Sequence, residues 1–164
     1  MHFLKSIEEF LAPWQSAYSD SSLISITVTA LHLIGMLVGG GLAIAADRAT
    51  LRISHEQPGE RERHLGELNA IHRPVLIALT ILLITGILMM TSDIETFINS
   101  PVLWIKLGLV ALLVMNGVIL ERTETSLRRG TETTSWGKLR LAAMCSIGLW
   151  TLTLVAGVVL VNAA

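Results

Sequence analysis

The sequence predicts an all-α integral membrane protein whose core is a four-helix bundle, and two observations lead to this prediction. Of the 164 residues, 52% are hydrophobic and 15% are charged, whereas soluble domains carry roughly 45–50% and about 25%. The few charges are also unevenly distributed. A helix of about 20 apolar residues crosses a bilayer core, and four stretches of about this length or longer carry at most one charge each: residues 21–46, 74–92, 97–120 and 141–164.

The first predicted element is a short amphipathic helix within residues 1–20. Its apolar side chains recur at helical spacing, and we expect a break near Pro13. Trp14 and Tyr18 at its end suit the headgroup layer, so the segment is expected to lie flat on the outer leaflet. Packing against a partner subunit is the alternative. The apolar residues are Phe3, Leu4, Ile7, Phe10, Leu11 and Trp14.

The second predicted unit, residues 21–164, contains the four membrane spans. Pro101 is placed at the start of the third span, where its missing N–H costs nothing. Lys106 lies five residues further on and is expected to reach back to the outer headgroups, with a buried functional cation as the alternative. The expected spans are about 22–46, 70–92, 101–121 and 140–162.

The basic residues predict the orientation of these spans. Ten of the 12 Lys and Arg residues lie in the two connections 47–73 and 121–140. Because positive residues concentrate on the cytoplasmic side, both connections are expected in the cytoplasm and both termini outside. The sequence therefore predicts a multi-pass protein of a bacterial inner membrane.

The two halves of the chain resemble each other, as expected for two tandem helical hairpins. Residues 31–41 align with 107–117 at an offset of 76, and residues 83–88 align with 154–159 at an offset of 71. Both copies would enter the membrane from the same side, so they would be parallel repeats.

His32 is the main candidate for chemistry, because ionisable groups inside a span usually face the bundle and serve a site. One interpretation is a neutral imidazole hydrogen-bonded to Thr85 or Thr153, which lie at the same depth. The other is a ligand for copper or for the iron of haem b, with Met36 as a soft partner.

A second cluster is expected at the cytoplasmic ends of the first two spans, where Asp47, Arg48, His72 and Arg73 lie. A pairing of Asp47 with an Arg is one interpretation, and a proton-entry or headgroup-binding cluster is the other. His72 is a second candidate cofactor ligand, but its depth differs from that of His32, which disfavours one haem held between them. The remaining histidines, including His64, are expected to be solvated.

Several function classes are excluded or disfavoured. The net charge of −1 removes nucleic acid as an expected partner. Cys145 is the single cysteine, so no internal disulfide is expected. No nucleophile–base pair, phosphate loop or buried carboxylate pair is visible, so catalysis is not expected. The expected partners are the lipid bilayer and either further copies of the chain or a larger membrane complex, in which the protein would be an accessory subunit.

The segment from Ser100 to Lys106 (SPVLWIK), followed by Asn116, resembles the copper-resistance D (CopD-like) family and related four-helix bacterial membrane proteins. His32 with the glycines after it, and Asp47 with Arg48, are similar to the first helix of that group. The resemblance covers about residues 25–122. It implies copper handling or a haem-b bundle distantly related to cytochrome b561. His32 is the residue of this chain to which the resemblance assigns the role of a ligand. Spans three and four lack the histidines of the cytochrome pattern.

The predicted orientation has a direct test. Reporter fusions at residues 60 and 130 should both give the cytoplasmic signal, because both connections are rich in Lys and Arg. A periplasmic signal at either position would contradict the predicted topology.

Overall fold

The computed structural model describes residues 2–53, 58–129 and 135–163, and all of its regular structure there is helical. Four of the helices are long and apolar enough to cross a membrane, which confirms the predicted helical membrane bundle. In chain order the helices are α1 (His2–Asp20), α2 (Ser22–Arg52), α3 (Pro58–Ser92), α4 (Ile94–Asn99), α5 (Pro101–Arg128) and α6 (Ser135–Ala163).

The first helix, α1, packs on the end of α3. The indole N–H of Trp14 donates to the carbonyl oxygen of Leu88 (3.1 Å), and the Gln15 amide donates to that of Thr91 (3.4 Å). The expected break near Pro13 is wrong, because α1 runs through this residue. Proline removes one backbone donor, but the two side-chain hydrogen bonds that follow it hold the same stretch of helix against α3.

The long helices match the predicted spans at one end and exceed them at the other. Helices α2 and α5 begin at Ser22 and Pro101, as predicted. At the end that carries the connections 47–73 and 121–140, here called the basic end, all four helices continue by roughly one to three turns. Hydropathy marks only the segment in lipid, whereas the helix continues wherever it can pack. Ala46, Leu65 and Leu68 form a buried apolar cluster there, with Ile71 and Leu127 against it.

The long helices form two hairpins, α2 with α3 and α5 with α6, that meet mainly through α2 and α6. Within the second hairpin, the Asn116 amide donates to the carbonyl oxygen of Ala142 at 3.0 Å. A two-fold axis between equivalent hairpins would make the α3–α5 interface equal to the α2–α6 interface. Instead α3 and α5 barely touch, so the bundle is open on that side.

Three glycines allow α2 to approach both of its neighbours closely. A Cβ atom at Gly39 would stand 2.9 Å from Ala78 Cβ in α3, and one at Gly35 would stand 3.2 Å from Leu82 Cγ. At Gly40 it would stand 3.0 Å from the Trp150 ring of α6. A Cβ at Gly41 would meet nothing within 4 Å, so this fourth glycine of α2 is not part of either interface.

Replacing Gly39 by Ala should lower the thermal unfolding midpoint of the detergent-solubilised protein. The added methyl group overpacks the α2–α3 interface, at a cost of about 1–3 kcal/mol. Gly41→Ala is the matched control, because it makes the same change in helix propensity without a contact. Equal midpoints for the two variants would contradict the close packing of Gly39 on Ala78.

Candidate functional site at the basic end

The open side of the bundle forms a cleft between α3 and α5, whose floor is made by α2 and α6. Its volume is about 180 Å³, somewhat more than the roughly 150 Å³ of an apolar cavity that takes up benzene. Apolar side chains make most of the wall. The polar side chains that line it are Asp47, His72, Glu121 and Ser146.

Asp47 is the most constrained polar group of the cleft. Its residue is only 3% exposed, and Ser146 of α6 lies near its carboxyl group. The Oδ2 atom is buried with no hydrogen-bond partner. Buried polar atoms nearly always have a partner, so an unpartnered oxygen in the wall of a cleft suggests a binding position.

The expected pairing of Asp47 with an arginine is not observed. Arg48 and Arg73 are exposed, and no ion pair is recorded for Asp47 within the described ranges 2–53, 58–129 and 135–163. Consecutive residues of a helix point in different directions, so Arg48 cannot face the cleft together with Asp47.

His72 meets a buried glutamate at the basic end of the cleft. Its Nδ1 atom lies 3.5 Å from Glu124 Oε2, and Glu124 Oε1 lies 4.0 Å from Arg128 Nη1. The His72 Nδ1–H donates to the carbonyl oxygen of Leu68 at 3.3 Å, because a carbonyl can only accept. Glu124 Oε2 is buried and accepts no hydrogen bond. A second carboxyl oxygen near the cleft therefore lacks a donor.

His64 is buried, contrary to the expectation that it is solvated. It is 5% exposed, and its Nε2 lies 2.8 Å from the hydroxyl of Thr50 in α2. The Thr50 hydroxyl donates to the carbonyl oxygen of Ala46, so His64 Nε2–H is the donor between the two helices. The charged stretch around His64 looked solvent-exposed, but helix α3 continues through it and one of its faces packs on α2.

Two further contacts tie the basic ends of the helices together. The Arg140 guanidinium of α6 donates to the carbonyl oxygen of Leu51 at 3.0 Å. The Arg61 guanidinium of α3 lies over the Trp136 ring, 5.2 Å from its centroid. These contacts hold α2, α3 and α6 in place around the floor of the cleft.

His32 lies elsewhere, in the half of the bundle away from the basic end. Its Nδ1 is 2.9 Å from the Thr85 hydroxyl, one of the two expected partners. That hydroxyl donates to the Ile81 carbonyl oxygen at 2.7 Å, so His32 Nδ1–H donates to Thr85 and Nε2 keeps its lone pair. The ring packs against Gly86.

Lys106 is directed into the second hairpin. Its Nζ atom would lie 3.5 Å from a Cβ atom at Gly157, a position that matches Gly86 in the repeat. Lys106 is also close enough to His32 for their charges to interact. Each hairpin therefore holds one basic side chain against one glycine.

The structure does not bring His32 and His72, the two candidate histidines, into one site. Within the described residues no three His, Cys, Asp or Glu side chains form a group suited to a metal ion. His72 lines the cleft and His32 does not, and the positive charge of Lys106 opposes a metal cation at His32. The assignments of His32, His72 and Met36 to copper or haem stay predictions of the sequence.

Sequence reasoning missed Ser146 and Glu124 as parts of the site. Ser146 is one of several hydroxyl residues in apolar helices, and only the packing of α6 on α2 selects it. Glu124 lies just beyond the predicted third span and looked like a solvated boundary residue. Its spacing of four residues from Arg128 was the available signal, since residues four apart share a helix face.

No family model, curated protein or solved structure matches this chain. The resemblance to the CopD-like family therefore stays a prediction.

Replacing Thr50 by Val should lower the unfolding free energy by about 1–3 kcal/mol, because the buried His64 N–H loses its acceptor. Thr80→Val is the matched control. The Thr80 hydroxyl is exposed and bonds only to Leu76 in its own helix, so its loss should cost little. Denaturant titration of the purified protein followed by circular dichroism measures both changes, and equal effects would contradict the role of the Thr50–His64 hydrogen bond.

Proposed function

We propose that this membrane protein is a binding protein for a small lipophilic amine, which it holds in the cleft between α3 and α5. The observation that carries the proposal is the Oδ2 atom of Asp47, which is buried in the wall of an apolar cleft without a donor. A protonated amine supplies both the missing N–H and a compensating charge.

The charges around the cleft support a cationic ligand. Asp47 and Glu121 line it, Glu124 is next to His72, and no Lys or Arg is among the lining residues of the described chain. Potentials of one sign in a low-dielectric cleft concentrate ligands of the opposite sign. An anionic or purely apolar ligand would leave the Asp47 oxygen unsatisfied.

The apolar part of the ligand has a defined place. Leu76, Leu79, Leu113 and Val114 extend the wall along α3 and α5, and the Trp150 ring closes the floor. Aromatic faces also attract cations at short range. A volume of about 180 Å³ suits one ring or a short branched chain with its amine.

The location in the membrane supports the same class of ligand. The cleft opens sideways between two helices that are apolar enough to lie in lipid, so an amphiphilic amine can enter from the bilayer. With the basic end in the cytoplasm of a bacterial cell, as the positive residues predict, entry is from the inner leaflet. The predicted alternative, an accessory subunit of a larger complex, does not require a ligand in the cleft.

The proposal is tested by equilibrium binding of radiolabelled 2-phenylethylamine to the protein in phosphatidylcholine nanodiscs, with empty nanodiscs subtracted. Asp47→Asn should weaken binding about tenfold or more, because a hydrogen bond to a charged group contributes about 1.5–3 kcal/mol. Glu67→Gln is the control acid-to-amide change. Glu67 pairs with Arg63 and does not line the cleft. The neutral analogue 2-phenylethanol should compete poorly.

Filling the cleft gives an independent test. Gly117 lines it, and a Cβ atom there would meet nothing within 4 Å, so Gly117→Leu should block binding without disturbing the fold. Gly148→Leu is the control at an equally open glycine that does not line the cleft. Binding that survives both Asp47→Asn and Gly117→Leu would refute the proposal. Stoichiometric copurification with larger subunits, together with no amine binding, would favour the accessory role.

A further inference from the structure

We propose a second, separate site at the end of the bundle opposite the basic end, where Lys106 and Thr153 bind a phosphate oxyanion. The site is formed by α5 and α6 of the second hairpin. It differs from the amine-binding cleft in position and in the sign of its charge, and the proposal does not depend on the amine.

The Lys106 ammonium lacks a compensating charge. Its side chain is half-buried, its Nζ lies against Gly157, and no ion pair is recorded for it in the described part of the chain. The acidic residues described at this end, Glu9, Asp20, Asp93 and Glu95, are all exposed. An ammonium in apolar surroundings is costly without an anion beside it.

A second basic side chain, His32, lies on the neighbouring hairpin. Its Nδ1–H is used by Thr85, so the neutral ring has no second N–H to donate to an oxyanion. The donors to the oxyanion are therefore Lys106 and Thr153.

Thr153 supplies an independent sign of a missing ligand. The residue is 5% exposed, and its hydroxyl oxygen is buried without a partner. It lies one turn before Gly157 on the same face of α6, the face that receives Lys106. The neighbouring Thr151 differs, because its hydroxyl bonds to the carbonyl oxygen of Ile147 in the usual way. An oxyanion at Lys106 provides an acceptor for the unused Thr153 O–H.

The depth of the site suits a lipid phosphate. Lys106 is the sixth residue of α5, so at 1.5 Å per residue it lies roughly 8 Å below the helix start, within reach of the headgroup layer for a long side chain. The phosphate of an anionic lipid and a free phosphate ion share this chemistry. The experiment therefore includes both sources.

The test measures the thermal unfolding midpoint in three kinds of nanodisc sample: phosphatidylcholine alone, phosphatidylcholine with phosphatidylglycerol, and phosphatidylcholine with inorganic phosphate. A ligand that binds only the folded state raises the midpoint. We expect phosphatidylglycerol to raise it by about 3 °C or more, and a rise with inorganic phosphate instead would assign the site to the free ion.

The variants separate this site from general attraction of anions to basic residues. Lys106→Met should remove the response to phosphatidylglycerol, while its midpoint in pure phosphatidylcholine stays the same or rises because an uncompensated charge is gone. Lys138→Met removes one charge at the basic end and should respond like the parent protein. Thr153→Val should weaken the response, and Thr151→Val should not.

Two outcomes would overturn the proposal. One is a response to phosphatidylglycerol in Lys106→Met as large as in the parent. The other is the absence of a response to either phosphate source in the parent protein. If Lys106→Met fails to fold, Lys106→Arg and Thr153→Val decide the matter: the first should keep the response and the second should reduce it.

Discussion

The close approach of α2 to both α3 and α6 is the constraint on which the rest of the structure depends. Gly35 and Gly39 bring α3 within contact distance, and Gly40 accepts the ring of Trp150 from α6. In a membrane, helices associate through such close packing, because lipid removes most of the hydrophobic driving force. The position of α2 then determines where Asp47 meets Ser146 and where His32 meets Thr85.

Interhelical hydrogen bonds supplement this packing, and in the α2–α3 hairpin they follow one pattern. His32 donates to Thr85 in one half, and His64 donates to Thr50 in the other. In both pairs the threonine gives its own proton to a carbonyl oxygen one turn earlier, so the histidine must be the donor. Each pair thus fixes one tautomer and joins α2 to α3 at a different depth.

The fold could be predicted from sequence because bilayer thickness and charge placement act on whole segments. The ends of α2 and α5 at Ser22 and Pro101 follow from this signal. The burial of His64 could not be predicted, since hydropathy treats the charged start of α3 as solvated and does not detect the face that packs on α2. The site at Asp47 was only half predicted. Asp47 could be recognised in the sequence as a candidate. Its neighbour Ser146 and the gap between α3 and α5 could not, because both are defined by tertiary packing.

The two interfaces between the hairpins, α2–α6 and α3–α5, are unequal, and this has a mechanical consequence. Only the α2–α6 interface is well packed, while α3 and α5 stand apart, so the α2–α6 interface sets the angle between the two hairpins. The width of the cleft follows this angle, and at the end opposite the basic end its two walls are joined through α4. Lateral pressure in the surrounding lipid acts on the outer faces of α3 and α5, and it therefore contributes to the energy that sets the width of the cleft.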